Sequence, residues 1–423
     1  MLAAKIDEML GRHVEPNGPG FAVLVMDGDK RVCARGYGYA RIADSDHGIR
    51  QKKITTDTVF DLASISKQFT AFAILMLIDK TTQHGPNRGK YPALSLTTRL
   101  SRFFPGIFGA RDITIWHLLN HSSGLPEYLG IRSFTQSYDE ELKEIGFWYA
   151  DMNASVLTNE DVIARIVELN KLEFNPGEQF KYCNTGYVVL AEIVRKITKK
   201  SLREFLQEEV FDRLEMNNSF VYDETVNEFK KHPLCYRKRR DGQYVSIEGD
   251  TVFNYIHGDG NVHTGIKDMV KWQKACNRIA DLGNTGPGAL ISKRTFLDVF
   301  DPPSRRRRGL RFKEQSGYAA GFHIYRYERG NVSDFALHHA GEWLGFNSYL
   351  IRAEVQLHQP VHQPDAAKKF KEFSIVVLSN SKEFAEGHRV STYTIMKELA
   401  EFFWDLWGLP EARSRKNVLR KTE

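Results

Sequence analysis

Ser64 and Lys67 stand three residues apart in Ser64-Ile65-Ser66-Lys67, opening a stretch with helical periodicity. One turn of helix puts both side chains on the same side, so the amine can reach the hydroxyl. That pairing matters because a serine hydroxyl is a weak nucleophile until a neighbour takes its proton. The pattern is common by chance, however, and a serine at a helix start most often serves as a cap. Tyr182-Cys183-Asn184 offers a phenol and a carboxamide two residues apart, which share one side of an extended backbone. Taken alone, that segment is a turn and a cap before a helix. His339-Ala340-Gly341 closes a strand running from Phe335, and its glycine lets a substrate approach the backbone closely. Taken alone, His339 is a polar residue at a strand end.

These residues need elements to hold them. Phe21 to Met26 and Arg31 to Tyr39 flank the turn Asp27-Gly28-Asp29-Lys30, which predicts a hairpin. From Ser64 to Ile78, Phe69, Phe72, Leu75 and Met76 recur at three and four, which predicts a helix with one broad buried stripe. Further helices are predicted over Thr114 to Asn120, Asn159 to Lys171, Thr185 to Ile197, Ser201 to Leu214 and Thr264 to Ala280. Two begin with capping chemistry, Ser201 with Glu204 and Thr158 with Asp161. Strands return at Ala319 to Tyr327, Phe335 to His339, Asn347 to Arg352 and Phe373 to Leu378, before a closing helix, Ser391 to Trp407. Strands at both ends with helices between predict an α/β (α+β) protein, an antiparallel sheet flanked by helices. The expected division is a discontinuous sheet domain with terminal helices, 1–63 and 265–423, and a mostly helical insert, 64–264, with the active site between them. Thr81 to Pro92 and Glu354 to Lys371 read as surface insertions, and the tail after Pro410 as loose.

Composition narrows the function. At 423 residues with 42% hydrophobic residues, the chain has the makeup of a soluble globular protein of two or three units. Its longest apolar stretch, Ala71 to Ile78, is far short of the roughly 20 residues that cross a bilayer. Met1 to Gly11 mixes charges among apolar residues and lacks a secretory core, so the expected location is cytoplasmic, although a mature chain after signal removal would read the same. Scattered Cys33, Cys183, Cys235 and Cys276 read as free thiols. The net charge of +6 owes much to Arg237 to Arg240 and Arg305 to Arg308, which sit beside turn residues and read as solvated loops rather than a nucleic-acid patch. Gly36-Tyr37-Gly38 lacks the third glycine of a dinucleotide fingerprint, and Gly85 to Lys90 is one residue short of a P-loop. G-x-S-x-G and HExxH are both absent.

In this order and at these separations, the three motifs resemble the serine β-lactamase and penicillin-binding-protein superfamily. The likeness is to its branch of class C enzymes, DD-carboxypeptidases, D-aminopeptidases and family VIII esterases. Thr58 to Ala63, Ile113 to Pro126, Gly258 to Thr264, and Gly341 with Gly345 to Ser348 carry it further, from about residue 20 to about 405. The resemblance implies the β-lactamase/transpeptidase-like fold and an acyl-enzyme on Ser64, with Lys67 as proton partner. It implies that Tyr182 relays a proton to the leaving group and that Asn184 orients Lys67 and substrate. The amides of Ser64 and Glu342 would form the oxyanion hole, with Ala340 and Gly341 on the substrate side. Whether Lys67 or Tyr182 takes the Ser64 proton stays open at this level. The expected substrate is a small ester, amide or peptide, with no cofactor, no metal and no nucleic-acid partner.

Two positions depart from the pattern. His339 stands where many β-lactamases have lysine; an imidazole near 6.5 is about one-tenth protonated at pH 7.5, so recognition of a substrate carboxylate should be weak and should grow as pH falls. Arg352, one strand away, could supply the missing cation. Cys183, between two candidate catalytic residues, reads as a buried filler. Two other classes compete. One is a non-catalytic binding or scaffold protein, whose simplest sign would be loss of Ser64, Lys67 or Tyr182. The other is a metal hydrolase built on His257, Asp259, His263, His338 and His339, although adjacent His338 and His339 face opposite sides of a strand.

Overall fold

The computed structural model describes residues 2–43, 50–81, 91–130, 157–223, 234–239, 241–247, 255–280, 290–300, 314–329, 332–356, 370–382 and 391–407. In chain order its strands are β1 (Phe21–Asp27), β2 (Lys30–Tyr37), β3 (Tyr39–Arg41), β4 (Lys52–Lys53), β5 (Val59–Asp61), β6 (Phe220–Val221), β7 (Cys235–Lys238) and β8 (Tyr244–Ile247). There follow β9 (Val262–Gly265), β10 (Glu314–Ala319), β11 (Phe322–Arg329), β12 (Val332–Trp343), β13 (Phe346–Gln356) and β14 (Phe370–Ser379). Seven of these form one antiparallel sheet in the order β10-β11-β12-β13-β14-β1-β2.

Alternation along β1 builds two cores. Phe21, Val23 and Val25 pack with the terminal helices Leu2–Gly11 and Thr392–Leu406, through Leu10, Leu399, Phe403 and Trp404. Ala22, Leu24 and Met26 face the other way, toward the helix Lys67–Thr81 and its neighbours. A strand covered on both faces carries an almost continuous apolar run, which is why Phe21 to Met26 shows no polar alternation.

The Lys67–Thr81 helix departs from the expected single stripe, because every residue from Lys67 to Ile78 is buried. Trp272 stacks on Phe69 at 4.2 Å between ring centroids, and Phe72 meets Trp272 edge-on at 5.0 Å. Each such fully buried aromatic contributes roughly 1.5–3 kcal/mol. The helix Asn184–Thr198 also packs against it.

Several boundaries shift from expectation for local reasons. Ser64 lies in a 3-10 turn, Ala63–Ser66, and the α-helix begins only at Lys67. Thr264 belongs to β9, and the helix after it is Ile266–Ala280. Ala319 to Tyr327 is a hairpin rather than one strand, turning at Ala320-Gly321. Gly321 has φ +82°, and a Cβ there would come within 2.5 Å of the Gln68 amide nitrogen, so the turn presses directly on the start of the Lys67 helix. The Ser201 helix is α only over Leu202–Leu206 and continues as a π turn, Gln207–Phe211. His339 is mid-strand, since β12 runs on to Trp343. Arg237 and Lys238 lie in β7, not in a loop, and Lys238 pairs with Glu15 at 2.6 Å. Glu354 to Gln356 and Phe370 to Lys371 belong to β13 and β14 rather than to an insertion, and residues 357–369 lie outside the described residues. Residues 82–90, 305–308 and the tail after Pro410 lie outside the described residues.

Candidate active site

β5 pairs with β9 as far as Asp61↔His263, and the next amide, Leu62, still donates to Val262 O. The chain then turns sharply at Ala63, whose φ of +48° is left-handed and strained for a residue with a Cβ. Asp61 Oδ1 braces the turn by accepting the Ala63 amide at 2.7 Å. Ser66 Oγ accepts the Val262 amide at 3.0 Å, and Thr70 Oγ1 donates to Gly258 O at 2.7 Å. These bonds tie the turn carrying Ser64 to the 258–262 segment.

Lys67 is fully buried, and its Nζ donates to Ser64 Oγ at 3.0 Å, Asn184 Oδ1 at 2.7 Å and the Asp259 carbonyl at 2.8 Å. A lysine has three donors, so all are used. The Nζ also lies 5.0 Å from the centre of the Tyr182 ring. Asn184 is held in turn by Glu127, whose Oε2 accepts the Asn184 amide at 2.5 Å and whose Oε1 accepts Nδ2 at 3.3 Å. Burial pushes the Glu127 carboxyl above its ordinary value. Asp259 Oδ2 accepts the Tyr128 hydroxyl at 2.9 Å, and burial raises both groups.

Tyr182 and Asn184 share one side of their segment, as expected, while Cys183 points into the core. The Cys183 thiol donates to Leu125 O at 3.3 Å, and burial pushes it up to about 12, which fits a filler. His121, itself left-handed at φ +58°, accepts the Cys183 amide at Nδ1, 3.1 Å away. Its proton therefore sits on Nε2, a buried nitrogen without a hydrogen-bond partner among the described residues. The ring centroid is 4.3 Å from those of Tyr182 and Tyr318.

On the sheet side, His339 Nδ1 contacts the Ala340 carbonyl and Nε2 lies 2.9 Å from the Tyr318 hydroxyl. With the proton on Nδ1, the phenol donates to Nε2. Burial, then the nearby Lys67 and His323, hold His339 well below 6.5. The expectation of a partly charged imidazole is thereby corrected: desolvation keeps it neutral, and no cation appears on it as pH falls toward 6. Arg352 supplies none either, because it lies 3.9 Å from Glu372 in a separate cavity walled by Phe72, Phe335 and Leu337.

Gly341 is needed where it stands. A Cβ there would come within 2.1 Å of Leu62 O and 2.3 Å of Ser348 Oγ, so only glycine lets β12 lie against the turn carrying Ser64. Ser348 Oγ donates to that same Leu62 carbonyl at 2.9 Å. The cleft over Ser64 is open to solvent, and Asp61, Ser64, Tyr128, Asn184, Asp259, Glu342 and Trp343 are among its wall residues. Lys67, Tyr182, His339 and Gly341 stand outside that wall, and Ala340, expected on the substrate side, is exposed on the opposite face of β12 from His339.

The residues of the metal alternative do not converge. His257 Nε2 contacts Tyr222 O, His263 stacks on Phe220, and His338 stacks on His323. Among the described residues, no three His, Cys, Asp or Glu side chains are grouped to hold a metal ion. Glu127, Tyr128, Asp61 and Tyr318 are the contributors that sequence reasoning missed. Glu127 directly follows the Ile113 to Pro126 stretch, and its place there was the one available signal.

A beta-lactamase family model matches residues 2–400. The chain belongs to the beta-lactamase family. Penicillin-binding protein 4* of Bacillus subtilis is 28% identical over 356 residues, covering 82% of this chain and 67% of that protein. A D-aminopeptidase of Brucella ovis is 26% identical over 308 residues, 71% of this chain and 50% of that one, so this chain spans half of that relative's length. The fold is shared with the octameric penicillin-binding protein homologue from Pyrococcus abyssi at TM-score 0.68 and 24% identity, covering 100% of this chain and 81% of that one. It is also shared with the D-amino acid amidase from Ochrobactrum anthropi at TM-score 0.63 and 16% identity, covering 96% and 99%. The mixed helix and antiparallel-sheet architecture of this beta-lactamase family member is thus that of penicillin-binding proteins, and no helix among its described residues is long and apolar enough to cross a membrane.

Proposed function

We propose that this protein is a serine hydrolase that cleaves small esters or amides through an acyl-enzyme on Ser64. The observation that carries this reading is the buried Lys67 Nζ, held 3.0 Å from Ser64 Oγ by two further acceptors. Ser64 Oγ attacks the acyl carbon, and its proton passes to whichever of Lys67, as a free amine, or Tyr182, as a phenolate, has first given up its own. The amides of Ser64 and Glu342 take the charge on the carbonyl oxygen, and the leaving group departs with the proton returned through Tyr182. Water then cleaves the Ser64 ester along the reverse path. Asn184, fixed by Glu127, orients Lys67.

Acyl donors without a carboxylate beside the scissile bond suit this site, D-amino-acid derivatives included, and β-lactams should turn over slowly. The neutral His339 and the lack of any lysine or arginine among the described wall residues support that preference. Intact-mass measurement after incubation with a fluorophosphonate and a panel of esters, amides and penicillins tests the reading. One acyl increment on the Ser64 peptide is expected, and an increment found only elsewhere would overturn it.

A further inference from the structure

Asp61 is only 4% exposed yet forms part of the cleft wall beside Ser64. Its Oδ1 accepts the Ala63 amide, and among the described residues its carboxyl makes no other hydrogen bond and no ion pair. A buried carboxylate without a partner is costly, so it is retained for a structural or a binding reason. Among the described residues, the groups around it bring no compensating positive charge. On β9 the opposite residue is His263, held near 4 by burial; on β7 it faces the Cys235 thiol, pushed up to about 12. The 258–262 segment contributes a second carboxyl, Asp259, and β12 contributes Glu342, which is paired with Lys382. Burial pushes the Asp61 carboxyl up to about 7, and the hydrogen bond from the Ala63 amide only partly offsets that.

We propose that Asp61 is a subsite for a positively charged group, above all an ammonium, on the acyl donor. This deepens the acyl-enzyme reading and rests on it. The ammonium supplies the charge the wall lacks and takes the free oxygen of Asp61 as its acceptor. Tyr128, Ile256 and Trp343, on the same wall, cover the apolar remainder of the acyl group. Because the ionised carboxylate is the form that binds, preference for the cation rises with pH through about 7.

The test compares 4-nitrophenyl esters of 3-aminopropanoic and 6-aminohexanoic acids with the butanoate and heptanoate esters, in which methyl replaces ammonium. Aliphatic ammonium groups titrate near 10, so these donors stay charged from about pH 5.5 to 8.5 and any change belongs to the enzyme. At least one cationic ester should exceed its neutral counterpart in kcat/KM by about tenfold or more at the alkaline end, the scale of one charge-assisted hydrogen bond. The ratio should fall toward the acid end. Asp61→Asn should lower the ratio about tenfold and remove its pH dependence, while Asp61→Glu should keep both in part. Whatever either variant costs the Ala63 turn acts on both esters and cancels in the ratio. An unchanged ratio in Asp61→Asn, or a flat wild-type ratio near one, overturns the subsite. Should Asp61→Asn not fold, the wild-type pH profile alone decides. Failure of the neutral esters to acylate Ser64 sinks the acyl-enzyme reading instead, so the two failures are distinguishable.

Discussion

On the helical side of the cleft, Lys67 is fully buried and keeps three acceptors around one nitrogen; on the sheet side, His339 is as deeply buried and is neutral. The difference lies in what each group meets. Lys67 faces a hydroxyl, a carboxamide oxygen and a carbonyl, with the carboxyls of Glu127 and Asp259 behind them. His339 faces a phenol that donates to it, two more imidazoles and Lys67 itself. Equally buried groups therefore differ in what surrounds them, three acceptors at Lys67 against a phenol, imidazoles and a lysine at His339.

Removing the group that both walls serve should have the largest effect. Ser64→Ala should lower turnover by at least about a thousandfold and abolish acyl labelling, with the melting temperature nearly unchanged. Labelling that persists on Cys183 would break the assignment. Next in size is an attempt to make the sheet wall resemble the helical one. His339→Lys buries a cation beside Lys67 with only the Ala340 carbonyl and the Tyr318 hydroxyl at hand as acceptors, and should lower stability by about 3 kcal/mol in denaturant unfolding. A variant as stable as wild type, with improved turnover of carboxylated donors, would show that the wall tolerates charge.

On the helical side, Lys67→Ala and Tyr182→Phe should each lower kcat by about a hundredfold, and the double variant should be little worse than the poorer single one. Multiplying losses would show that they act independently. Acid should act through the buried histidines, His338 on the sheet among them. His338 is held near 3 by burial and regains its ordinary value near 6.5 on unfolding. Between those values the unfolded chain binds the extra proton, so its contribution is complete above about 6.5 and is lost as pH falls. His338→Asn should therefore reduce the stability lost between pH 6.5 and 5 by about 1.5 kcal/mol, read from urea midpoints at the two pH values. The smallest expected change is at the outer end of the helical network. Glu127→Gln keeps an acceptor for Asn184 and should lower kcat about fivefold, whereas Glu127→Ala should cost more. Equal losses in the two would mean that Glu127 acts by charge rather than by holding Asn184.

What could be read without coordinates was whatever local spacing controls. Ser64 and Lys67 meet because they are one turn apart, and Tyr182 and Asn184 share a side because extended backbone alternates. The capping pairs Thr158 with Asp161 and Ser201 with Glu204 form as expected, for the same local reason. Apolar runs located the strands but not their ends: Ala319 to Tyr327 hides a turn because Ala320, Gly321 and the residues around them are buried against the Lys67 helix. Only the tertiary structure brought Asp259 to Lys67 across 192 residues and Asn184 across 117, and set Glu127 behind Asn184. It alone made His339 neutral and left Asp61 with one hydrogen bond among the described residues. The physical reason is that hydrogen-bond reach within a turn depends on neighbours in sequence, whereas desolvation and charge depend on every group that folding packs around a side chain, however distant in the chain.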